Sequence, residues 1–348
     1  MANSLRLSVL DQSPIHDGGP PSRGPADTVR LAKACDALGY YRYWIAEHHS
    51  TPGYASPAPE ILIGHLAQNT RRLRVGSGGI MLPHYSPLKV AEVFRMLETL
   101  NPGRIDLGVG RATGADGLGT AALAFPHQPI DAQLYPRQVY DVMGFLNGDM
   151  PDEHPFREVR AEPVDGGVPE VWMLGSSGGS AEVAGQLGAG LVLSLFIGTH
   201  PRTPAIIESY RKAFQPSASL AEPRAIIGVA CVCDEDAARA QRVAGCRTMW
   251  LLQALARGRI MPLPSPEQAW SLYDELTPGE RDQFDQLMAN TVYGTPEHCH
   301  AEITRQAEQY GVDEVMVVCV THSFASRLQT YELLAQAFDL PGEASAAA

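Results

Sequence analysis

Short apolar runs alternate with helix-like stretches along the whole chain of 348 residues. Eight runs are almost continuously apolar, as strands of a parallel sheet are when both faces of the sheet are covered. A helical pattern follows each run, which predicts an α/β fold built as a single (β/α)8 or TIM barrel. The predicted strands are 5–10, 41–45, 73–80, 105–109, 171–174, 191–195, 225–233 and 314–320.

The helical stretches have recognisable ends. Gly39 stands where a C-terminal stop is expected, and Pro87 stands at the first position of a helix. A doubly wound open sheet is the alternative fold, but no G-x-G-x-x-G motif follows the first strand, where Asp11-Gln12-Ser13-Pro14 stands instead. The predicted helices are 25–38, 57–68, 87–100, 133–147, 180–187, 203–214, 234–255, 296–310 and 323–340.

Two stretches are longer than a plain barrel needs. Residues 112–131 form a Gly/Ala-rich loop after the fourth strand, and residues 257–290 form a polar, Pro-rich insertion before the last helix–strand unit. Loops of this length are commonly lids or binding loops, so the insertion is a candidate lid. We expect one domain over residues 1–340 and a disordered tail over 341–348.

Composition limits the classes of function. With 45% hydrophobic and 19% charged residues, the chain is an ordinary globular protein, and its net charge of -12 argues against nucleic acid as a partner. No signal peptide or apolar stretch of membrane-spanning length is visible, so we expect a cytoplasmic protein with no membrane partner. The six cysteines have no zinc-binding spacing and lie mostly in apolar runs, which predicts buried free thiols.

A polar cluster, Glu47-His48-His49, directly follows the second predicted strand. The C-terminal ends of barrel strands are where this fold places its chemistry, and histidine transfers protons near neutral pH. The cluster is therefore the candidate catalytic site. Two packed or surface histidines are the alternative. A metal site would need further ligands at other strand ends, and the sequence shows none.

Three further strand ends carry candidate binding residues. Arg111 follows the fourth strand, and the run Gly175-Ser176-Ser177-Gly178-Gly179-Ser180 leads from the fifth strand into a helix. Arginine, backbone N–H groups and serine hydroxyls together favour a phosphate site, although a salt-bridged arginine and a flexible turn remain alternatives. Gly78 and Gly79, in the third strand, indicate either a plain bulge or a wall against which a flat ring lies.

These segments together resemble the bacterial luciferase-like flavin monooxygenase family, over nearly the whole chain. The family's aromatic-x-x-Glu-His-His segment is similar to residues 44–49. Its apolar strand ending in Leu-Pro is similar to residues 75–84, and its Gly-Arg-hydrophobic strand, which ends in arginine, is similar to residues 102–111. Its phosphate-binding segment is similar to residues 171–180, and its Gly-Thr-Pro-Glu helix start to residues 293–297.

The resemblance implies roles for single residues. His48 matches the histidine needed for turnover, and the Gly78-Gly79 pair matches a bulge with a cis peptide that supports the flavin ring. Where the family has a reactive cysteine, a tryptophan and an acidic residue, this chain has Gly110, Leu195 and Ser176, so light emission is not implied. The positions that match the phosphate-holding residues are Arg111, Ser176, Ser177 and Ser180. Gly175 and Gly179 are expected to bind the cofactor beside them.

The resemblance also implies an activity. Reduced FMN, supplied by a separate flavin reductase, would react with O2 through a flavin hydroperoxide to oxygenate a small organic substrate. The pattern is nearest to a subgroup of bacterial secondary metabolism that includes a tailoring enzyme of the aromatic polyketide antibiotic mensacarcin. A homodimer is expected. A deazaflavin-dependent hydride-transfer enzyme and a non-catalytic flavin-binding protein are the alternatives.

Overall fold

The computed structural model describes residues 5–16, 18–198, 202–259 and 261–342. Their strands are β1 (Arg6–Asp11), β2 (Arg42–Ile45), β3 (Arg74–Ser77), β4 (Ile80–Met81), β5 (Ile105–Gly110), β6 (Glu170–Gly175), β7 (Gly190–Ser194), β8 (Ala225–Cys233), β9 (Thr291–Gly294) and β10 (Glu314–Val318). Strand β10 pairs in parallel with both β1 and β8, which closes the sheet. We call each strand position around the barrel a stave. The strands β3 and β4 together form one interrupted stave, and β9 pairs only with the end of β8. The barrel therefore has eight parallel staves, as predicted.

The helices surround the barrel and cover its outer face. They are α1 (Arg23–Leu38), α2 (Pro59–Asn69), α3 (Pro87–Leu100), α4 (Gly117–Ala124), α5 (Tyr135–Asn147), α6 (Gly178–Gln186), α7 (Ala205–Ala213), α8 (Ala237–Arg257), α9 (Pro266–Asp274), α10 (Pro278–Met288), α11 (Pro296–Tyr310) and α12 (Phe324–Ala337). Gly39, with φ of 93°, ends α1 in the left-handed conformation that the sequence predicted. All six cysteines are buried free thiols.

The third stave contains a bulge at Gly78 and Gly79. Val75 pairs with Ile105, but Ile80 pairs with Val109, so one extra residue lies on the stave between these pairs. A Cβ atom on Gly79 would lie 2.8 Å from the carbonyl oxygen of Gly108. The bulge therefore needs glycine because the two backbones touch.

A buried network of charges fills the N-terminal end of the barrel. The Arg42 guanidinium, at the start of β2, donates to Asp106 at 2.7 Å, Glu314 at 3.0 Å and Glu170 at 3.2 Å. Arg74 adds a second cation beside Asp106. Burial lowers the pKa of Arg42, but the three carboxylates more than offset it and hold the pKa above its ordinary value. The network is structural, because it lies at the end of the barrel opposite the strand termini that carry chemistry.

The two long stretches, 112–131 and 257–290, were expected to be loops, but both contain helices. In the first, the Asp116 carboxylate caps α4 by accepting from the Gly119 N–H at 2.7 Å, although no residue of α4 is buried. In the second, α9 and α10 each begin with a capping box, and both pack on α8 through an apolar cluster that includes Ala269 and Phe284. The insertion is thus a helical layer and not an open loop.

The start of the predicted tail packs on the barrel. The carbonyl oxygen of Pro341 accepts a hydrogen bond from Arg72 Nη1 at 2.9 Å, whereas residues 343–348 lie outside the described part of the chain. Among the helices of the described residues, none is both long and apolar enough to cross a membrane.

Candidate active site

A cavity of about 490 Å³ opens at the C-terminal ends of the barrel strands. Its size lies in the range of small-molecule and cofactor pockets. Residues from the ends of six staves line it, from Leu10 on β1 to Ser194 on β7. The predicted site residues among them are His48, Gly78, Gly79, Arg111, Gly175, Ser176, Ser177, Gly179 and Ser180.

His48 is the member of the histidine pair that lines the cavity. Its ring packs on the Tyr54 ring, with 4.5 Å between the ring centres, and its Nδ1 atom is buried without a hydrogen-bond partner. Burial, and then the neighbouring His49, lower the pKa of His48 to about 4. The imidazole is therefore neutral at physiological pH, and Nδ1 is free to accept or donate one hydrogen bond, depending on the tautomer.

Glu47 and His49 stand behind the cavity wall. The Glu47 carboxylate is completely buried and accepts three hydrogen bonds, from His49 Nε2 at 2.7 Å, the Tyr85 hydroxyl at 2.7 Å and the Met81 N–H at 2.9 Å. The His49 N–H donates to the carbonyl oxygen of Gly114 at 2.8 Å. Neither residue lines the cavity. This arrangement ties the loops after three staves together and fixes the direction of His48.

A second group of predicted site residues lies at the ends of β5 and β6. Arg111 is the first residue after β5, and Ser177 is the N-cap of α6. The Ser177 side chain makes no capping bond to the helix, and a Cβ atom added at Gly179 would meet nothing within 4 Å. The first N–H groups of a helix have no partner inside it and attract negative charge. Open space, free N–H groups and a guanidinium therefore face one cavity.

Gly78 and Gly79 form the wall between these two groups. Their peptide bond is cis, as the family resemblance implies. A Cβ atom on Gly78 would collide with Leu10 Cδ1, so a side chain there would require Leu10 to shift. The bare backbone gives the cavity a surface against which a flat ring can lie closely.

The charge of the lining suits an anionic ligand, although the whole chain is acidic. No Asp or Glu side chain occurs among the described lining residues, whereas Arg111 supplies a cation. Burial raises the pKa of Tyr135, which also lines the cavity and donates its hydroxyl to the Val109 carbonyl oxygen at 3.1 Å. A phosphate at Arg111 and a flat ring against Gly78-Gly79 would both find matching surfaces, so the residues fit a flavin mononucleotide.

Three lining features were not expected from the sequence. Gln12 lines the cavity with a buried Oε1 atom that lacks a partner, and its place directly after β1 is the signal that marks it. Phe196 lines the cavity, whereas Leu195, the position that matches the family's tryptophan, does not. Tyr135 reaches the cavity from the start of α5. Chain spacing alone does not show which residue of a loop turns inward.

Metal chemistry has no visible ligand set in the described residues. They contain no group of three or more His, Cys, Asp or Glu side chains that could hold a metal ion. The two histidines also do not act as a pair of ligands, because His49 binds Glu47 while His48 lines the cavity.

Comparison with known proteins gives matches along nearly the whole chain. The crystal structure of apo-MsnO8 superposes with a TM-score of 0.85, at 36% identity, covering 98% of this chain and 99% of that one. The protein YwcH of Bacillus subtilis is 37% identical over 334 residues, covering 96% of this chain and 99% of its own. The N-acetyl-S-alkylcysteine monooxygenase of the same organism is 33% identical over 338 residues, covering 96% and 98%.

The similarity to MsnO8 confirms the expected likeness to the mensacarcin-type subgroup. The sequence model that describes luciferase-like monooxygenases matches residues 5–314, which is most of the barrel. With the fold, the cavity and these matches together, the chain belongs to the luciferase-like monooxygenase family.

Proposed function

We propose that the protein uses reduced FMN and O2 to oxygenate a small organic molecule. The observation that carries this proposal is the meeting of the Arg111 anion site, the Gly78-Gly79 wall and neutral His48 in one cavity of about 490 Å³. A bound reduced flavin supplies the oxygen chemistry, through the hydroperoxide that the sequence resemblance implies. The protein supplies binding, orientation and a dry site.

Arg111 and the N-terminus of α6 would hold the phosphate. The guanidinium and the first N–H groups of the helix offer charge-assisted hydrogen bonds, which are stronger than neutral ones. Ser176, Ser177 and Ser180 add hydroxyl groups, Gly179 leaves room for the ligand, and Gly175 leaves room for the Ser180 side chain. The flat ring would then lie along the bulge at Gly78 and Gly79.

His48 would manage the proton at the reacting centre, because its ring lines the cavity. A neutral imidazole can accept a proton from a reacting group at its unprotonated nitrogen and return it later, so the total charge of the cavity does not change during the transfer. Glu47 and His49 act through their neighbours: they do not line the cavity, but they bind the backbone of two residues that do, Met81 and Gly114. They are positioning residues in this proposal.

Apolar side chains keep water from the proposed reaction site. Met81, Leu174 and Phe196 form much of the lining.

We propose that the 257–290 insertion acts as a cover over this end of the barrel. Its Leu263 joins the apolar cluster inside the barrel, and Trp250 Nε1 donates to the Met261 carbonyl oxygen at 2.6 Å, which anchors the start of the insertion there. Excluding water protects reactive oxygen chemistry from side reactions.

The two named relatives support different substrates. The similarity to MsnO8 supports an aromatic polyketide in antibiotic biosynthesis, as the sequence resemblance implies. The N-acetyl-S-alkylcysteine monooxygenase supports a small thioether acid. A substrate panel should therefore contain both classes. We also propose that a separate flavin reductase delivers the reduced FMN and that the protein works as a homodimer.

The first experiment is an anaerobic titration with photoreduced FMN, followed by mixing with ¹⁸O2 and the substrate panel. We expect saturable flavin binding and a product that contains one ¹⁸O atom. Flavin binding with neither oxygen uptake nor oxygenated product would overturn the monooxygenase proposal in favour of hydride transfer or a binding role. Absence of flavin binding would overturn the phosphate-site assignment.

Replacing Arg111 by methionine should weaken the binding of reduced FMN by about 10- to 100-fold, because a charge-assisted hydrogen bond to phosphate is lost. Riboflavin, which has no phosphate, should bind the variant and the parent equally. Fluorescence or absorbance titration measures both ligands. The control is Arg137→Met on α5, which removes a half-exposed arginine paired with Asp141. Equal weakening for FMN and riboflavin would contradict the assigned role.

A further inference from the structure

The lining of the active-site cavity differs in character from one side to the other. The proposed phosphate site lies where β5 and β6 end, at Arg111 and the N-terminus of α6. In the closed sheet, β1 lies across the barrel from β6. The ends of β1, β2 and β7 form another part of the lining, which we name the β1–β2–β7 wall. It consists of Leu10, Gln12, Ala46, His48, Ser194, Phe196 and Ile197.

Apolar side chains form the larger part of the β1–β2–β7 wall. Leu10, Ala46 and Phe196 are each at most 5% exposed, and they belong to the apolar cluster inside the barrel. Ile197 is 49% exposed, so it continues the apolar lining towards solvent. A charged group that moves from water onto such a surface loses its hydration, which is costly unless a counter-charge receives it.

The polar side chains of this wall are neutral. They are Gln12, His48 and Ser194. Burial, and then the neighbouring His49, lower the pKa of His48 to about 4, so its ring carries no charge at physiological pH. An amide, a neutral imidazole and a hydroxyl group can give or accept hydrogen bonds, but they do not balance a full charge on a ligand.

Charged side chains near this wall lie behind it. Glu47 accepts hydrogen bonds from three donors, and Asp11 forms an ion pair with Arg327. Arg247 is buried on α8. None of these four side chains lines the cavity. Arg111 is the single charged residue among the described lining residues, and in the proposed function it faces the flavin phosphate.

We propose that the β1–β2–β7 wall selects a substrate whose reacting end is uncharged and largely apolar, such as a ketone, an aldehyde or a thioether. The apolar side chains would cover its body, and Gln12 or Ser194 would bind its single polar atom. The inference rests on the proposed monooxygenase function, because it names the substrate class for that same cavity. A thioether acid, the class for which the N-acetyl-S-alkylcysteine monooxygenase is named, would have to keep its carboxylate away from this wall.

The test compares ligands that have the same shape but different charge. Acetophenone with benzoate, and methyl pentyl ketone with hexanoate, are titrated by calorimetry into the full-length protein loaded with FMN. We expect each ketone to bind more tightly than its acid by about tenfold or more, because the carboxylate loses its hydration and gains no counter-charge. Equal affinities, or tighter binding of the acids, would overturn the proposal, and this arm needs no variant to fold.

A matched pair of variants locates the effect. Ile197→Lys adds a cation to the lining at a half-exposed position, where the flexible side chain keeps its charge in water. The ratio of ketone affinity to acid affinity should fall about two- to fivefold, which is what an exposed charge pair contributes. The control Leu255→Lys adds the same charge at an exposed position of α8 outside the cavity, and its ratio should match that of the parent. Equal falls in the two variants would show that net charge sets the preference and would overturn the role of the wall.

Failure of this inference and failure of the proposed function give different results. Normal flavin binding and oxygenation, with equal affinities for ketones and acids, would overturn only the uncharged substrate. If the protein binds no FMN, the same pairs are titrated into Arg111→Met, in which no charged side chain remains among the described lining residues. A preference for ketones in that variant would support the uncharged wall, while the missing flavin binding would overturn the monooxygenase function.

Discussion

Replacing His48 by alanine should lower turnover by about 10²- to 10⁴-fold, the usual contribution of a positioned acid–base group. Affinity for reduced FMN should stay within about twofold, because the residues proposed to bind its phosphate come from other staves. Steady-state oxygenation and anaerobic flavin titration measure the two quantities separately. The reason for the large effect is that the His48 ring lines the cavity in which the reaction is proposed to occur.

Two comparisons sharpen this prediction. The control His127→Ala changes an exposed histidine outside the cavity and should leave turnover unchanged. Because burial and His49 lower the pKa of His48 to about 4, the His48 ring gains its charge only as the pH falls towards 4, and not near the ordinary value of 6.5. The turnover of the parent should therefore have no His48-dependent step between pH 5 and 8. Weakened flavin binding in His48→Ala, or unchanged turnover, would contradict the proposed role.

Replacing Arg42 by methionine should lower the free energy of unfolding by about 3–5 kcal/mol, the usual cost of removing one partner from a buried ion pair. Methionine keeps much of the volume but leaves Glu314, which is 1% exposed, without a cation. Asp106 would keep Arg74 and the indole N–H of Trp44, and Glu170 would keep Arg224 and Arg74, so the loss falls mainly on Glu314. Urea unfolding followed by circular dichroism measures the change.

The matched control for this variant is Arg305→Met, which removes an exposed arginine paired with Glu302 on α11. Exposed ion pairs contribute little, so this variant should unfold almost as the parent does. A loss in Arg42→Met no larger than that of the control would show that the network at the bottom of the barrel is not needed for stability. The activity of folded Arg42→Met should survive, because the network does not reach the cavity.

The barrel could be predicted from the sequence because its strands are local apolar runs. Parallel strands covered on both faces need apolar residues at nearly every position, and the eight runs marked the eight strand positions of the barrel, whereas the short β9 was not predicted. Helix ends were visible for the same local reason: Gly39 and Pro87 fix backbone geometry at their own positions. The helices α4, α9 and α10 were missed because their sequences lack a long apolar stripe, and the caps that start them are short signals.

The site was predictable where a strand end carries distinctive residue types. Arg111, the serine-rich loop and the Gly78-Gly79 pair all lie on the cavity, since barrel geometry brings strand ends together. The sequence did not predict that His48 lines the cavity while Glu47 and His49 lie behind the cavity wall. Only the fold shows that the Glu47 carboxylate turns inward to three donors, because those donors come from the residue two positions later and from a neighbouring stave.

The sequence by itself determined the fold class, the family and the set of strand ends that form the cavity, because each is encoded in residues close together in the chain. The tertiary structure alone decided which charges are paired. Arg42 meets acids from three distant strands, whereas Arg247 meets Tyr54 and Phe196 and no described acid. Pairing depends on contacts between residues far apart in the sequence, and no local pattern records them.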